Sequence, residues 1–317
     1  MLQIDDFALQ KYLTFEVLID GLSEAFKNQN IVTPVRHHHQ YQNPKENIES
    51  TLLLMPSWQE SQYLGIKLIT VSPNNFKYQI PSIQGKYLLF NAHTGVPLAM
   101  MDGKLLTNLR TAAASALASK ILSNPQSSTL LMIGTGSLAP YLIQAHAAIR
   151  PLEKIWIWGR SFEKAQKISD NLKETLNISP IQNYQDLLSQ VDIISAATLS
   201  SEPLVFGEYL RPGQHIDLVG SFKPDMREAD DATMLRSKVF IDVKESAPKE
   251  SGDLYLPIKN QVISPDHIKG DLFDLCSGQI NGRSSEQEIT LFKSVGHAME
   301  DLVAAVNAYE ASLSKDV

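Results

Sequence analysis

Three basic side chains stand within or just after apolar segments of the first part of the chain: Arg36, Lys67 and Arg110. Lys67 interrupts Gly65-Ile-Lys-Leu-Ile-Thr-Val71, which otherwise reads as a core strand. A buried ammonium is costly without a partner, and burial lowers its pKa toward the range where it can exchange a proton. Arg110 opens the small-residue run Arg-Thr-Ala-Ala-Ala114. Two guanidinium forks and an amine facing one pocket would suit a substrate that carries a carboxylate beside a nitrogen or a carbonyl. Spacing alone leaves ordinary salt bridges open as the alternative. A second group lies further on, where the apolar run Leu130–Ile133 ends in Gly134-Thr135-Gly136-Ser137-Leu138-Ala139 and a helical stretch, 140–150, follows. Gly134 permits a tight turn, Gly136 lets a phosphate approach the backbone, and Ala139 lets helix and strand pack closely. The N–H groups and dipole of that helix start suit a pyrophosphate. The pattern is weak alone, but a second strand one helix length later, Lys154–Trp158, puts it in the context of a dinucleotide site.

The tip of that second strand discriminates between cofactors. An acidic residue there holds the 2′-hydroxyl of NAD. Here the sequence is Trp158-Gly-Arg160-Ser161, with no carboxylate at the tip, and Arg160 and Ser161 suit a 2′-phosphate. NADPH is therefore expected, with NADH kept open by nearby Glu163. Thr198, just past the fourth strand of this region, is placed to touch the nicotinamide ribose. His37-His-His39 is not read as a metal site, because residues alternate faces along a strand and no ligand cluster lies nearby.

The elements that must position these residues fall into two groups. Residues 5–27 carry apolar residues at helical spacing, and strands are expected at 31–41, 51–56, 63–71, 86–91 and 97–101, with Asn91–Gly95 a hairpin-type turn. A long small-residue helix over 107–122 implies close packing against another element or a second subunit. Strand–helix alternation then runs from 130 to 243, which implies a parallel sheet with helices on both faces. After 285, Ile289, Phe292, Val295, Met299, Leu302 and Val303 recur at helical period, so the chain is expected to return to helix and to the first domain. The fold class is α/β, a Rossmann-type parallel-sheet domain over 112–287 inserted in an α+β domain made of 1–111 and 288–317.

Composition excludes several classes. A net charge of −7 disfavours a nucleic-acid surface. A single cysteine, Cys276, excludes a disulfide framework and fits a reducing, cytoplasmic compartment; it is expected to be a small buried residue. There is no run of about 18 apolar residues and no basic leader ahead of an apolar core, so neither a membrane span nor a signal peptide is expected.

Met101-Asp-Gly-Lys-Leu-Leu-Thr-Asn-Leu-Arg110-Thr-Ala-Ala-Ala114, Gly65-Ile-Lys67, the glycine turn and Ser294-Val-Gly296-His-Ala-Met-Glu-Asp301 together resemble the ornithine cyclodeaminase/mu-crystallin family, in order along nearly the whole chain. The resemblance implies a substrate and dimerisation domain with an inserted Rossmann domain, and a homodimer. It implies that Arg36 and Arg110 bind a substrate carboxylate, that Lys67 contacts the reacting carbonyl or imine as the catalytic residue, and that Ser294, Val295 and Gly296 lie beside the nicotinamide. One departure matters. Cyclodeaminases of this family carry a catalytic aspartate after a glycine pair, and here Phe222 occupies that position in Val219-Gly-Ser-Phe222-Lys-Pro-Asp-Met-Arg-Glu228. The stretch instead resembles the imine-reductase branch, with Phe222 packing near the substrate ring. The expected activity is reduction of a small cyclic ketimine carboxylate, foremost Δ1-pyrroline-2-carboxylate to L-proline. A six-membered Δ1-piperideine-2-carboxylate substrate, another amino-acid dehydrogenase activity, cyclodeamination (disfavoured by Phe222) and a non-catalytic NADPH-binding protein are the alternatives.

Overall fold

The computed structural model describes residues 1–314, and the chain divides into two compact units, Met1–Thr111 with the segment from His297 onward, and Ala112–Gly296. The first unit begins with β1 (Leu2–Ile4), α1 (Asp6–Tyr12) and α2 (Phe15–Asn28), continues through β2 (Ile31–Val32), β3 (His37–Asn43), β4 (Ile48–Gln59), β5 (Tyr63–Val71), β6 (Ile83–Asn91) and β7 (Pro97–Asp102), and leads into α3 (Gly103–Leu122). The sheet order is β1-β7-β6-β5-β4-β2, with β3 also paired to β4; β1 joins β7 in parallel and the other pairs are antiparallel. Two sequence expectations are corrected here. The helix expected over 5–27 is two helices, because Thr14 leaves the helical conformation and its hydroxyl accepts the Val17 N–H as an N-cap. The strand expected over 31–41 is interrupted at 33–36, since Pro34 has no ladder N–H and restricts Thr33 before it. Asn91 does close the hairpin turn, its side chain accepting from the N–H groups of His93 and Thr94, with Gly95 at φ 73°.

The second unit carries β8 (Thr129–Ile133), α4 (Ala139–Ile149), β9 (Lys154–Trp158), α5 (Phe162–Leu172), β10 (Ile178–Pro180), β11 (Ile193–Ala196), β12 (His215–Leu218), α6 (Asp231–Arg236), β13 (Lys238–Ile241), α7 (Ala247–Glu250), α8 (Gly252–Lys259), β14 (Ile268–Asp271), α9 (Leu272–Cys276) and β15 (Thr290–Lys293). All eight strands are parallel, in the order β10-β9-β8-β11-β12-β15-β13-β14. The strand order reverses between β8 and β11, and the carboxyl ends of strands at such a reversal leave the crevice where dinucleotides bind.

The placement of β15 corrects the domain boundary expected at 287/288. Thr-Leu-Phe-Lys293 is a fully buried central strand between β12 and β13. A short apolar run carries no period that separates buried strand from buried helix. The helical return is α10 (Ala298–Leu313), which packs on α2 and on the β4–β5–β6 face. The small residues of α3 already have their neighbours inside one chain: Ala112, Ala113, Ala114, Ala116 and Ala118 are fully buried, and the Ser115 hydroxyl donates to Asp217 at 2.9 Å. Cys276 is only half-buried at the end of α9. Among the described residues no helix is long and apolar enough to cross a membrane.

Candidate functional site

In the first unit the alternation of β5 turns Gly65, Lys67 and Ile69 to the face that α10 covers, which is why a lysine in an apolar strand becomes buried, with 2% of its surface exposed. Its ammonium contacts Asp301 on the first turn of α10 at 2.7 and 2.9 Å and donates to the Thr107 hydroxyl at 3.3 Å. Arg110, on α3, donates from Nε to the same carboxylate at 2.9 Å and from Nη1 to the neighbouring Glu300 at 2.5 Å. Burial lowers the Lys67 pKa to about 8; Asp301 opposes that shift, and the charges of Arg110 and Arg36 add to it. Burial also works against ionising Arg110 and Asp301, but for both the opposite charges win, so Arg110 is held more firmly protonated and Asp301 more firmly ionised than usual. Arg36 and Arg110 are thus both within electrostatic reach of Lys67. The sequence reading missed the two carboxylates that allow this. Their signal was the pair Glu300-Asp301 in an otherwise apolar helical stripe.

In the second unit the crevice at the strand-order reversal is a cleft of about 570 Å³. Its lining includes Gly134, Thr135 and Gly136 after β8, Arg160, Ser161 and Lys164 after β9, and Thr198 after β11. Gly134 has φ 123°, and a Cβ there would meet the Ala197 carbonyl at 2.5 Å, so the turn requires glycine. Gly136 differs: a Cβ there meets nothing within 4 Å, so the backbone faces open cleft. Ser137 and Leu138 lead from it into α4, which starts without a side-chain cap and with a proline in its first turn. An open glycine backbone at an uncapped helix start fits a pyrophosphate. At the β9 tip the Ser161 hydroxyl caps α5 and donates to Glu163 at 2.7 Å. That bond holds the Glu163 carboxyl below its usual pKa, and Glu163 is not among the residues lining the cleft.

Ser294, Val295 and Gly296 follow β15 and are pinned by a carboxylate that the sequence reading also missed. Asp242, just past β13, accepts from the Ser294 hydroxyl at 3.1 Å, the Val295 N–H at 2.7 Å and the Gly296 N–H at 2.6 Å. Phe222 lies on the loop after β12, 43% exposed, with the Lys223 ammonium 5.8 Å from its ring centre. His37 and His39 share a face of β3 and stand edge to face, and among the described residues no three potential ligands gather as a metal site.

One unit thus holds a cluster of buried cations and carboxylates, and the other a glycine-lined cleft at the reversal of a parallel sheet, the arrangement of a nucleotide-binding fold. The ornithine cyclodeaminase/mu-crystallin family model matches residues 6–316, and the chain belongs to this family. The Δ1-pyrroline-2-carboxylate reductase of Colwellia psychrerythraea is 37% identical over 302 residues, spanning 94% of this chain and 95% of that protein. Among solved structures, Thermococcus litoralis Δ1-pyrroline-2-carboxylate reductase, in complex with NADH and L-proline, superimposes with a TM-score of 0.92 at 34% identity over 100% of this chain and 99% of its own. An archaeal alanine dehydrogenase dimer with bound NAD gives a TM-score of 0.90 at 26% identity over 100% and 97%.

The cleft generates a clean test. Gly136→Val places its side chain in open space, so the variant is expected to fold with unchanged thermal stability while its affinity for NAD(P)H, titrated by fluorescence, falls more than about tenfold as the pyrophosphate position is blocked. Wild-type affinity in this variant would remove Gly136 from the cofactor site.

Proposed function

We propose that this chain is an NAD(P)H-dependent imine reductase that converts Δ1-pyrroline-2-carboxylate to L-proline. The observation that carries the reading is the buried Lys67, held by Asp301 beside Arg110 with its pKa lowered to about 8, in a chain related over its full length to reductases of this substrate. NAD(P)H, when bound, would supply the hydride for C2 of the imine. Arg110 has Nε and Nη1 committed to Asp301 and Glu300, so Nη2 together with Arg36 holds the substrate carboxylate. Lys67 gives its proton to the imine nitrogen as the C=N bond becomes C–N, and a protonated imine accepts hydride far more readily than a neutral one. Lowering the ammonium pKa makes it a better acid near neutral pH. Phe222, in place of the cyclodeaminase aspartate, leaves the site without the acid–base group that ammonia release requires and offers an apolar wall to the ring. The six-membered analogue would undergo the same chemistry.

On the side of the cofactor we favour NADPH, held by Gly134–Leu138 at the pyrophosphate, by Arg160, Ser161 and the cleft-lining Lys164 at the 2′-phosphate, and by Thr198, Ser294, Val295 and Gly296 toward the nicotinamide. NADH is the second reading, favoured by the likeness to Thermococcus litoralis Δ1-pyrroline-2-carboxylate reductase in complex with NADH. The outer face of the first sheet supports a homodimer: the cross-strand rows Pro56–Ile66–Leu88–Met100 and Trp58–Leu64–Phe90 are apolar and only half-buried or exposed.

Three measurements test these assignments. Lys67→Met is expected to lose about 10²–10⁴-fold in kcat with NADPH binding retained, and the wild-type kcat/KM is expected to fall as pH rises through about 8, where the ammonium loses its proton, a limb absent from the variant. Near-wild-type turnover by Lys67→Met would end this role. Arg160→Ala should weaken NADPH about 10–100-fold, the worth of a charge-assisted hydrogen bond, while leaving NADH nearly unchanged; equal effects on both cofactors would reassign Arg160. Sedimentation should give twice the chain mass, and Ile66→Lys should give the monomer. A wild-type monomer would refute the dimer.

A further inference from the structure

The parallel sheet buries a charged group that the proposed chemistry does not use. Glu228, Asp253 and Lys293 are all fully buried in the second unit, and none was singled out by the sequence for chemistry. Glu228 lies between the two loops that leave β11 and β12. One of its carboxylate oxygens accepts from the Thr198 N–H at 2.7 Å and the Thr198 hydroxyl at 3.0 Å; the other accepts from the Gly220 N–H at 2.7 Å and the Ser221 N–H at 3.1 Å. The two loops are in close apposition there, since a Cβ on Gly220 would run into the Thr198 backbone. Behind them, the Lys293 ammonium at the end of β15 lies 3.7 Å from Glu228 and 3.4 Å from Asp253. Asp253 in turn accepts from the backbone N–H groups of Glu228 and Ala229 at 2.7 and 3.0 Å.

We infer that Glu228 is a positioning residue for the nicotinamide end of the cofactor: one buried carboxylate that locks the loops after β11 and β12 at a fixed spacing and so sets where Thr198 presents itself to the cleft. The inference rests on the dinucleotide reading above. Its distinctive point is that four donors converge on two oxygens, a demand only a carboxylate meets. Burial raises the Glu228 pKa and Lys293 opposes that rise, so the lysine is the counter-charge that keeps an acceptor there. Gly134 packs against Ala197 and Thr198, but none of the hydrogen bonds to Glu228 comes from Gly134–Leu138, so the pyrophosphate contacts do not depend on this carboxylate directly.

Glu228→Gln keeps the shape but supplies an acceptor to one loop only. The single variant leaves Lys293 paired with Asp253 at 3.4 Å, and Glu228→Gln with Lys293→Met returns the buried cluster to its wild-type net charge, so a loss caused by charge imbalance is separated from one caused by the missing acceptor. NADPH titration gives the Kd, the fluorescence enhancement of bound NADPH reports immobilisation of the nicotinamide without any substrate, and steady-state kinetics with Δ1-pyrroline-2-carboxylate give kcat and KM. In both variants the expected result is a Kd for NADPH within about threefold of wild type, a fluorescence enhancement that is largely lost, and a kcat lowered about tenfold or more, the scale of losing a hydrogen bond to a charged group. Wild-type enhancement in Glu228→Gln, or recovery of enhancement in the double variant, would reduce Glu228 to charge balance and overturn the inference. If the wild-type chain binds NADPH but does not reduce the imine, the substrate reading fails while the fluorescence comparison still decides this one.

Discussion

The first unit depends on a buried four-charge cluster, Lys67 and Arg110 against Asp301 and Glu300. Each charge is excluded from water, and none of the four would be tolerable there alone: removing one partner of a buried pair typically costs about 3–5 kcal/mol because the other is left uncompensated. The cluster joins a central strand, the start of α3 and the first turn of the last helix, segments separated by as many as 234 positions in sequence. It therefore requires the chain's final helix to return to the sheet formed by its beginning. It also fixes the lysine in place, while burial, against the pull of Asp301, lowers the ammonium pKa.

The second unit solves the same problem of buried polarity with carboxylates set at or beyond strand ends. Asp217 on β12 accepts from Ser115, Ser195 and His146 and ties α3 and α4 to the sheet. Asp242 gathers the hydroxyl and N–H groups of 294–296, and Glu228 gathers those of 198 and 220–221. Loops at the carboxyl ends of parallel strands leave N–H groups without ladder partners, and a buried acceptor is the economical way to satisfy them. The positions of the residues that face the cleft follow from that accounting.

Much of this was legible from local pattern. The glycine turn, the strand–helix alternation and the anomalous Lys67 are all statements about neighbours in sequence, where period and residue type carry the physics. What was not legible had equally definite causes. Thr290–Lys293 was read as helix because an apolar run buried on both faces has no amphipathic period. The small residues of α3 were compatible with either a second subunit or the same chain, and their burial inside one chain settles the second. Glu228 and Asp242 look like ordinary surface charges in sequence, since nothing local distinguishes a solvated carboxylate from one that will be walled in.

The sequence by itself determined the class of chemistry. A glycine turn between strand and helix can be read because its requirements, a left-handed backbone and an open approach, are met within six residues. A lysine in a core strand can be read because burial of an ammonium always demands an account. Only the tertiary structure decided which groups answer those demands. Whether Lys67 meets a carboxylate, which one, and at what distance depends on how α10 is laid across β5, and that packing is a property of the whole unit rather than of any segment.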